Sequence, residues 1–111
     1  AHGAQALMNN ATGDSNTETG LNALHKNVPG FNKTAVGSRA LQNTSIGYAN
    51  TAIGEDALNN NTTGYNNSAF GENALINNLS GNSNIAMGKN AMSFNTQGNF
   101  NIAIGYVNSS L

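Results

Sequence analysis

Residues 50–71 read NTAIGEDALNNNTTGYNNSAFG, and the stretch ends nearly as it begins. NTAIG at 50–54 returns seventeen residues later as NSAFG at 67–71. The echo extends through the chain. Gly3, Gly20, Gly37, Gly54, Gly71, Gly88 and Gly105 are spaced by seventeen, and so are Gly13, Gly30, Gly47, Gly64, Gly81 and Gly98; together these are all 13 glycines. A fixed period of this length is the mark of a repeat architecture, in which each unit buries its apolar face only by stacking on the next.

Other columns keep the same period. Ala6, Ala23, Ala40, Ala57, Ala74 and Ala91 are each followed by Leu7, Leu24, Leu41, Leu58, Leu75 and Met92. Ahead of the next glycine come Ala35, Ala52, Ala69, Ala86 and Ala103, with Glu18 the one departure, and then Val36, Ile53, Phe70, Met87 and Ile104. A helix fails on this pattern: each repeat holds two glycines, each costing about 1 kcal/mol in a helix interior, and the apolar pairs lack i, i+3, i+4 spacing. Short β-prone runs bounded by Gly and Asn turns fit instead. The sequence predicts an all-β fold: a parallel β-solenoid, or β-roll, of 17-residue turns with two short strands per turn, around [ST]-A-I and around A-L. Successive turns rise by about 4.8 Å, so six of them span on the order of 30 Å. Residues 1–111 form one repeat region, with partial turns at both ends.

Composition agrees with a scaffold. The net charge is −1 and only 8% of residues are charged, against about 25% in an ordinary domain. So weak a field offers nothing to nucleic acid or an anionic membrane surface. Asparagine supplies the polarity, at 23 of 111 residues, and the regular spacing of apolar columns argues against a disordered, prion-like chain. With no cysteine there are no disulfides or thiolate sites. No apolar run reaches the roughly 18–20 residues of a membrane helix. The chain opens AHGAQAL without an initiator Met and stops at GYVNSSL within its own pattern, and so reads as an excerpt or processed product of a longer protein.

Neighbouring residues in a strand point to opposite faces, so a strand carrying Ala beside Ile, or Ala beside Leu, is apolar on both. One assignment puts the small Ala columns inside a thin roll and leaves an apolar stripe outside. Leu24, Val36, Leu41, Ile53, Leu58, Phe70, Leu75, Met87, Met92 and Ile104 then form an interface to other copies of the chain. The inverse puts Leu and Ile inside and Ala outside, and allows a monomer. The homo-oligomer is the preferred reading, because seventeen residues per turn enclose little volume.

Asparagines also form columns: Asn10, Asn27, Asn61, Asn78 and Asn95, with Thr44 substituting, and Asn16, Asn50, Asn67, Asn84 and Asn101, with Lys33 substituting. In-register amides suit hydrogen-bonded ladders. Phe31, Tyr48 and Tyr65 share a column that continues as Asn82 and Asn99; stacked rings steady the coil, and a sugar platform is the alternative. Motifs for catalysis are thin. His2 and His25 occupy different slots, which speaks against a His-based metal centre or triad. Glu55, Glu72 and Lys89 share a column that reads as solvated rather than as paired glycosidase acids. Glu18 either pairs with Lys33 or marks a less regular edge turn, and the glycines do not form a phosphate loop. No catalytic, cofactor or metal site is expected. The frequent N-x-[ST] triplets, at Asn10, Asn32, Asn60, Asn78 and Asn108, arise from composition and do not imply glycans.

NKTAVGSRAL, NTAIGEDAL, NSAFGENAL and NIAMGKNAM resemble the head repeats of trimeric autotransporter adhesins of the YadA type, and repeats of related tail-fibre-like surface proteins. The likeness covers essentially the whole chain; a period of seventeen is slightly longer than usual. It implies a left-handed parallel β-roll, three chains around an apolar centre, a location at the cell surface, outside the cell or in a virion tail fibre, and attachment to host or matrix surfaces. The expected function is therefore a non-enzymatic structural segment of a fibre or adhesin, giving a rigid scaffold for attachment, with end-to-end stacking into filaments as a further route. Three alternatives stand beside it. A lattice binder such as an ice-binding solenoid would use Thr17, Thr34 and Thr51, although that column continues as Ser68, Ile85 and Ile102. A polysaccharide-binding solenoid would use the aromatic column, and a polysaccharide-active enzyme would need carboxylates such as Glu55 and Asp56 in a groove.

Overall fold

The computed structural model describes residues 2–9, 13–26 and 29–106. Strands β1 (Thr17–Thr19), β2 (Thr34–Val36), β3 (Thr51–Ile53), β4 (Ser68–Phe70), β5 (Ile85–Met87) and β6 (Ile102–Ile104) form one parallel sheet in chain order. The register never shifts: Ala35 lies on Ala52, Ala52 on Ala69 and Ala69 on Ala86, each seventeen residues on. The 17-residue period is thus the path of one turn, and stacked turns build a β-solenoid whose Cα trace measures 35 × 21 × 16 Å.

Each turn holds one strand among the described residues, not two. The Ala-Leu segment is a turn in which the leucine is left-handed: φ is 51° at Leu41 and Leu58 and 52° at Leu75 and Met92. Residues two before it are left-handed too, at φ 61° for Arg39 and 60° for Asp56. This bend breaks the alternation of a strand, so Ala57 and Leu58 both point inward although they are neighbours. Turns still bond to one another there, the Leu58 N–H donating to the Ala74 carbonyl at 3.0 Å.

The burial corrects the expected interface. Leu24, Leu41, Leu58 and Leu75 are fully buried in the single chain and Met92 nearly so. They are core, not an outward stripe. The inverse assignment fails as well, because the Ala columns are also inside. Of the ten expected interface residues, only Val36, Ile53, Phe70, Met87 and Ile104, which flank the buried strand alanines, face outward.

The thin interior has an apolar half and an amide half. Ala57, Leu58 and Ala52 fill the first, while Asn50, Asn61, Asn67, Asn78 and Asn84, all 0% exposed, fill the second. The two glycine columns serve different needs. Gly54 has φ +138°, and a Cβ there would lie 2.5 Å from the Gly71 carbonyl oxygen one turn on. Gly64 needs no unusual φ, but a Cβ would collide with the Asn61 side chain and the Gly81 carbonyl. Glycine is thus dictated by backbone conformation at the first corner and by close approach at the second.

Candidate functional site

The amide interior is saturated with hydrogen bonds. Asn50 and Asn61 reach the Gly64 carbonyl from two sides at 2.8 and 2.9 Å, and Asn67 and Asn78 do the same to Gly81 at 2.8 and 2.9 Å. One ladder runs from Asn95 to Asn78 at 2.8 Å and from Asn78 to Asn61 at 2.9 Å. In the other, the Oδ1 of Asn50, Asn67 and Asn84 accepts the backbone N–H of Asn67, Asn84 and Asn101 in turn, at 2.9, 3.0 and 3.0 Å. The expected ladders are present. Asn10 and Asn27 lie outside the described residues, as does the Asn108 triplet.

The two substitutions in these columns meet. Lys33 and Thr44 are both buried, and the Lys33 ammonium donates to the Thr44 hydroxyl at 3.4 Å. The two departures from the Asn columns thus satisfy each other across the amide half. Burial draws the Lys33 amine down from the ordinary lysine range to about 8. Glu18, also buried, takes its place in the sheet beside Ala35.

A cluster of charge lies outside, in a short strip. Arg39 Nε and Nη2 clasp Asp56 Oδ1 and Oδ2 at 2.8 and 2.7 Å, and Nη2 also reaches Glu55 Oε1 at 2.9 Å. Hydrogen bonding to Asp56, then the charges of Asp56 and Glu55, hold the guanidinium above even its usual range. Lys89 pairs with Glu72 at 3.5 Å. Glu55 and Glu72 therefore do not act as a pair: each leans to a cation on an adjacent turn. Arg39 was not singled out by the sequence, although its place seventeen residues before Asp56 puts it directly next in the stack. Among the described residues no three His or acidic side chains converge as metal ligands, and no pocket opens.

The rings of Phe31 and Tyr48 stack with centroids 6.1 Å apart, and those of Tyr48 and Tyr65 at 5.0 Å with planes 2° apart. Tyr48 therefore has a ring stacked against each of its faces. Above them Asn82 takes over by accepting the Tyr65 N–H at 3.0 Å.

The outer face of the sheet carries two outward columns. One is Thr17, Thr34, Thr51, Ser68, Ile85 and Ile102; the other is Thr19, Val36, Ile53, Phe70, Met87 and Ile104. None of the twelve is charged. Hydroxyl side chains dominate the early turns and apolar ones the late turns, where Ile85 and Met87 are about 40% exposed at 39% and 41%. No family model, curated protein or solved structure matches the chain.

Proposed function

We propose that this chain is a structural segment of a fibre or adhesin: a rigid, non-enzymatic scaffold whose copies associate side by side through the outer sheet face. The observation that carries the reading is the unbroken, uncharged apolar column of Val36, Ile53, Phe70, Met87 and Ile104 along the coil axis. Isolated apolar residues on a surface need no explanation, but a contiguous row invites an interface. The buried residue types hold one turn on the next, so what the fold produces is length. An extracellular or virion setting, a trimer and a host or matrix target rest on the resemblance to adhesin head repeats.

Light scattering on the whole chain tests the association. The expected result is a mass above that of one chain, falling in Ile53→Asp, which puts a charge in mid-column, and unchanged in Glu55→Ala, which lies off it. A wild-type mass of one chain at high concentration would end the side-by-side reading. Lattice binding keeps one point in its favour, because Thr17, Thr34 and Thr51 do stand on the outer face. Thermal hysteresis in solution would select it.

A further inference from the structure

Two of the chain's 3 tyrosines stand one turn apart in the aromatic column. Repeating backbone fixes both. The Asn66 N–H donates to the Tyr48 carbonyl at 3.2 Å, and the Ser83 N–H to the Tyr65 carbonyl at 3.0 Å. Each tyrosine follows a corner glycine whose Cβ would collide with the next turn, Gly47 with the Gly64 carbonyl and Gly64 with the Gly81 carbonyl. Each precedes a left-handed residue, Ala49 at φ 53° and Asn66 at φ 57°. With the same path before and after the side chain, both rings leave the coil in one direction. Their planes lie within 2° of parallel at a centroid distance of 5.0 Å, whereas Phe31 and Tyr48 are looser at 28° and 6.1 Å. Tyr48 is 40% exposed and Tyr65 half-buried, so a reagent in solution reaches the pair.

Parallel rings aim the π orbitals of their carbons at one another across the gap. A phenol that loses one electron and its hydroxyl proton carries the unpaired electron on the oxygen and on the ortho and para carbons. The para carbon bears the side chain, so the two Cε positions are the ones open to bonding. Two such radicals held face to face join through a Cε–Cε bond. The hydrogens on the joined carbons then move to the oxygens, which restores both aromatic rings and both hydroxyls. In an unfolded chain, residues seventeen apart meet only against the entropy of loop closure. Here the fold has already brought the reacting groups together.

We propose that Tyr48 and Tyr65 form an oxidative cross-linking site, at which a one-electron oxidant such as a peroxidase supplied with hydrogen peroxide joins adjacent turns as dityrosine. The two tyrosines give up two electrons and two protons, hydrogen peroxide takes them and leaves as two waters, and the product is lighter by two hydrogens. Phe31 has no hydroxyl to lose, so the bond forms only between the turns of Tyr48 and Tyr65. It closes a seventeen-residue loop, and a cross-link of that span lowers the entropy of the unfolded chain. The aromatic column is distinct from the outward columns of the sheet, so the cross-link does not depend on side-by-side association.

The test treats dilute full-length chain with a haem peroxidase and hydrogen peroxide, read by dityrosine fluorescence, intact mass and fragment mass spectrometry. The expected product is a single chain lighter by two hydrogens, linked between 48 and 65, in a yield independent of protein concentration. Tyr65→Phe is expected to lose this product yet fold as wild type, since Phe31 already places phenylalanine in the column. Tyr106→Phe is expected to keep it. Oxidation in denaturing urea is expected to lower the yield several-fold, and the purified cross-linked chain to unfold at higher urea than untreated chain. Links found only between chains, a product undiminished in Tyr65→Phe, or an equal yield from unfolded chain overturns the proposal. So does a cross-linked chain that unfolds at no higher urea, because the rings would then have left the fold to join.

Discussion

Leu58 shows how a residue can satisfy packing against its own conformational preference. A left-handed backbone costs an L-residue roughly 1–2 kcal/mol, yet only that bend lets Leu58 follow Ala57 into the core, where both are 0% exposed. Burying a leucine returns about 1.5–3 kcal/mol, enough to sustain the conformation. Leu58→Ala is accordingly expected to lose about 2–4 kcal/mol in chemical denaturation, and Leu58→Asp to prevent folding; a Leu58→Asp chain with native circular dichroism would contradict the inward placement. Lys33 makes the complementary case. A lysine cannot accept, so the Asn50 N–H lacks the side-chain acceptor that Asn67, Asn84 and Asn101 enjoy. Its amine titrates near 8 in the fold and in the ordinary lysine range when unfolded. Between these values the unfolded chain binds more protons, so stability rises with pH across that window. The gain is about 1–3 kcal/mol, seen as a rising urea midpoint in wild type against a flat one in Lys33→Asn/Thr44→Asn. None of this was legible in the sequence beyond the column breaks themselves, because two deviant residues eleven apart do not reveal that they touch.

At the scale of the element, the sheet and the ladders were legible and the second strand was not. A period of seventeen with glycines that never slip fixes which residues stack, and columns of Asn then imply ladders whatever the path between them. Whether a short apolar pair is a strand or a bend depends on φ, and Ala-Leu gives no signal for a left-handed leucine; Gly and Asn are the residues that advertise it. The assumption of strict alternation therefore sent Leu24, Leu41, Leu58, Leu75 and Met92 to the wrong face and left Val36 and its column correctly placed. The ladders invite a direct measurement. Asn67 donates to the Gly81 carbonyl at 2.8 Å and accepts the Asn84 N–H at 3.0 Å. Asn67→Ala orphans that N–H in the interior, which costs roughly 1–3 kcal/mol beyond the lost side-chain contacts. Asn67→Asp keeps the acceptor but turns a donor into an oxygen facing the Gly81 carbonyl. It is expected to be the worse variant at neutral pH and to recover toward Asn67→Ala as the carboxyl protonates in acid. Equal midpoints for the two across pH would show that the ladder donor contributes nothing.

At the scale of the molecule, stability and length should both count turns. Each turn bonds only to its neighbours, so the total is close to a sum of turn and interface terms. Middle turns that obey every column, such as residues 54–70, are the best modules. Duplicating those seventeen residues between Phe70 and Gly71 preserves the Gly54–Gly71 approach, both Asn ladders and the alanine stack without a new kind of contact. The longer chain is expected to fold, to melt higher, and to extend the long axis by about 4.8 Å in small-angle scattering. A sixteen-residue insertion that drops Asn60 from the same segment has nearly the same composition but shifts the columns beyond it. It brings a side chain to a corner where Gly64 leaves no room for a Cβ, and turns the core alanines of one turn against the wrong face. The expected result is a lower midpoint than wild type despite the longer chain. Should both insertions stabilise alike, composition rather than register would hold the stack, and the seventeen-residue period would lose its physical meaning.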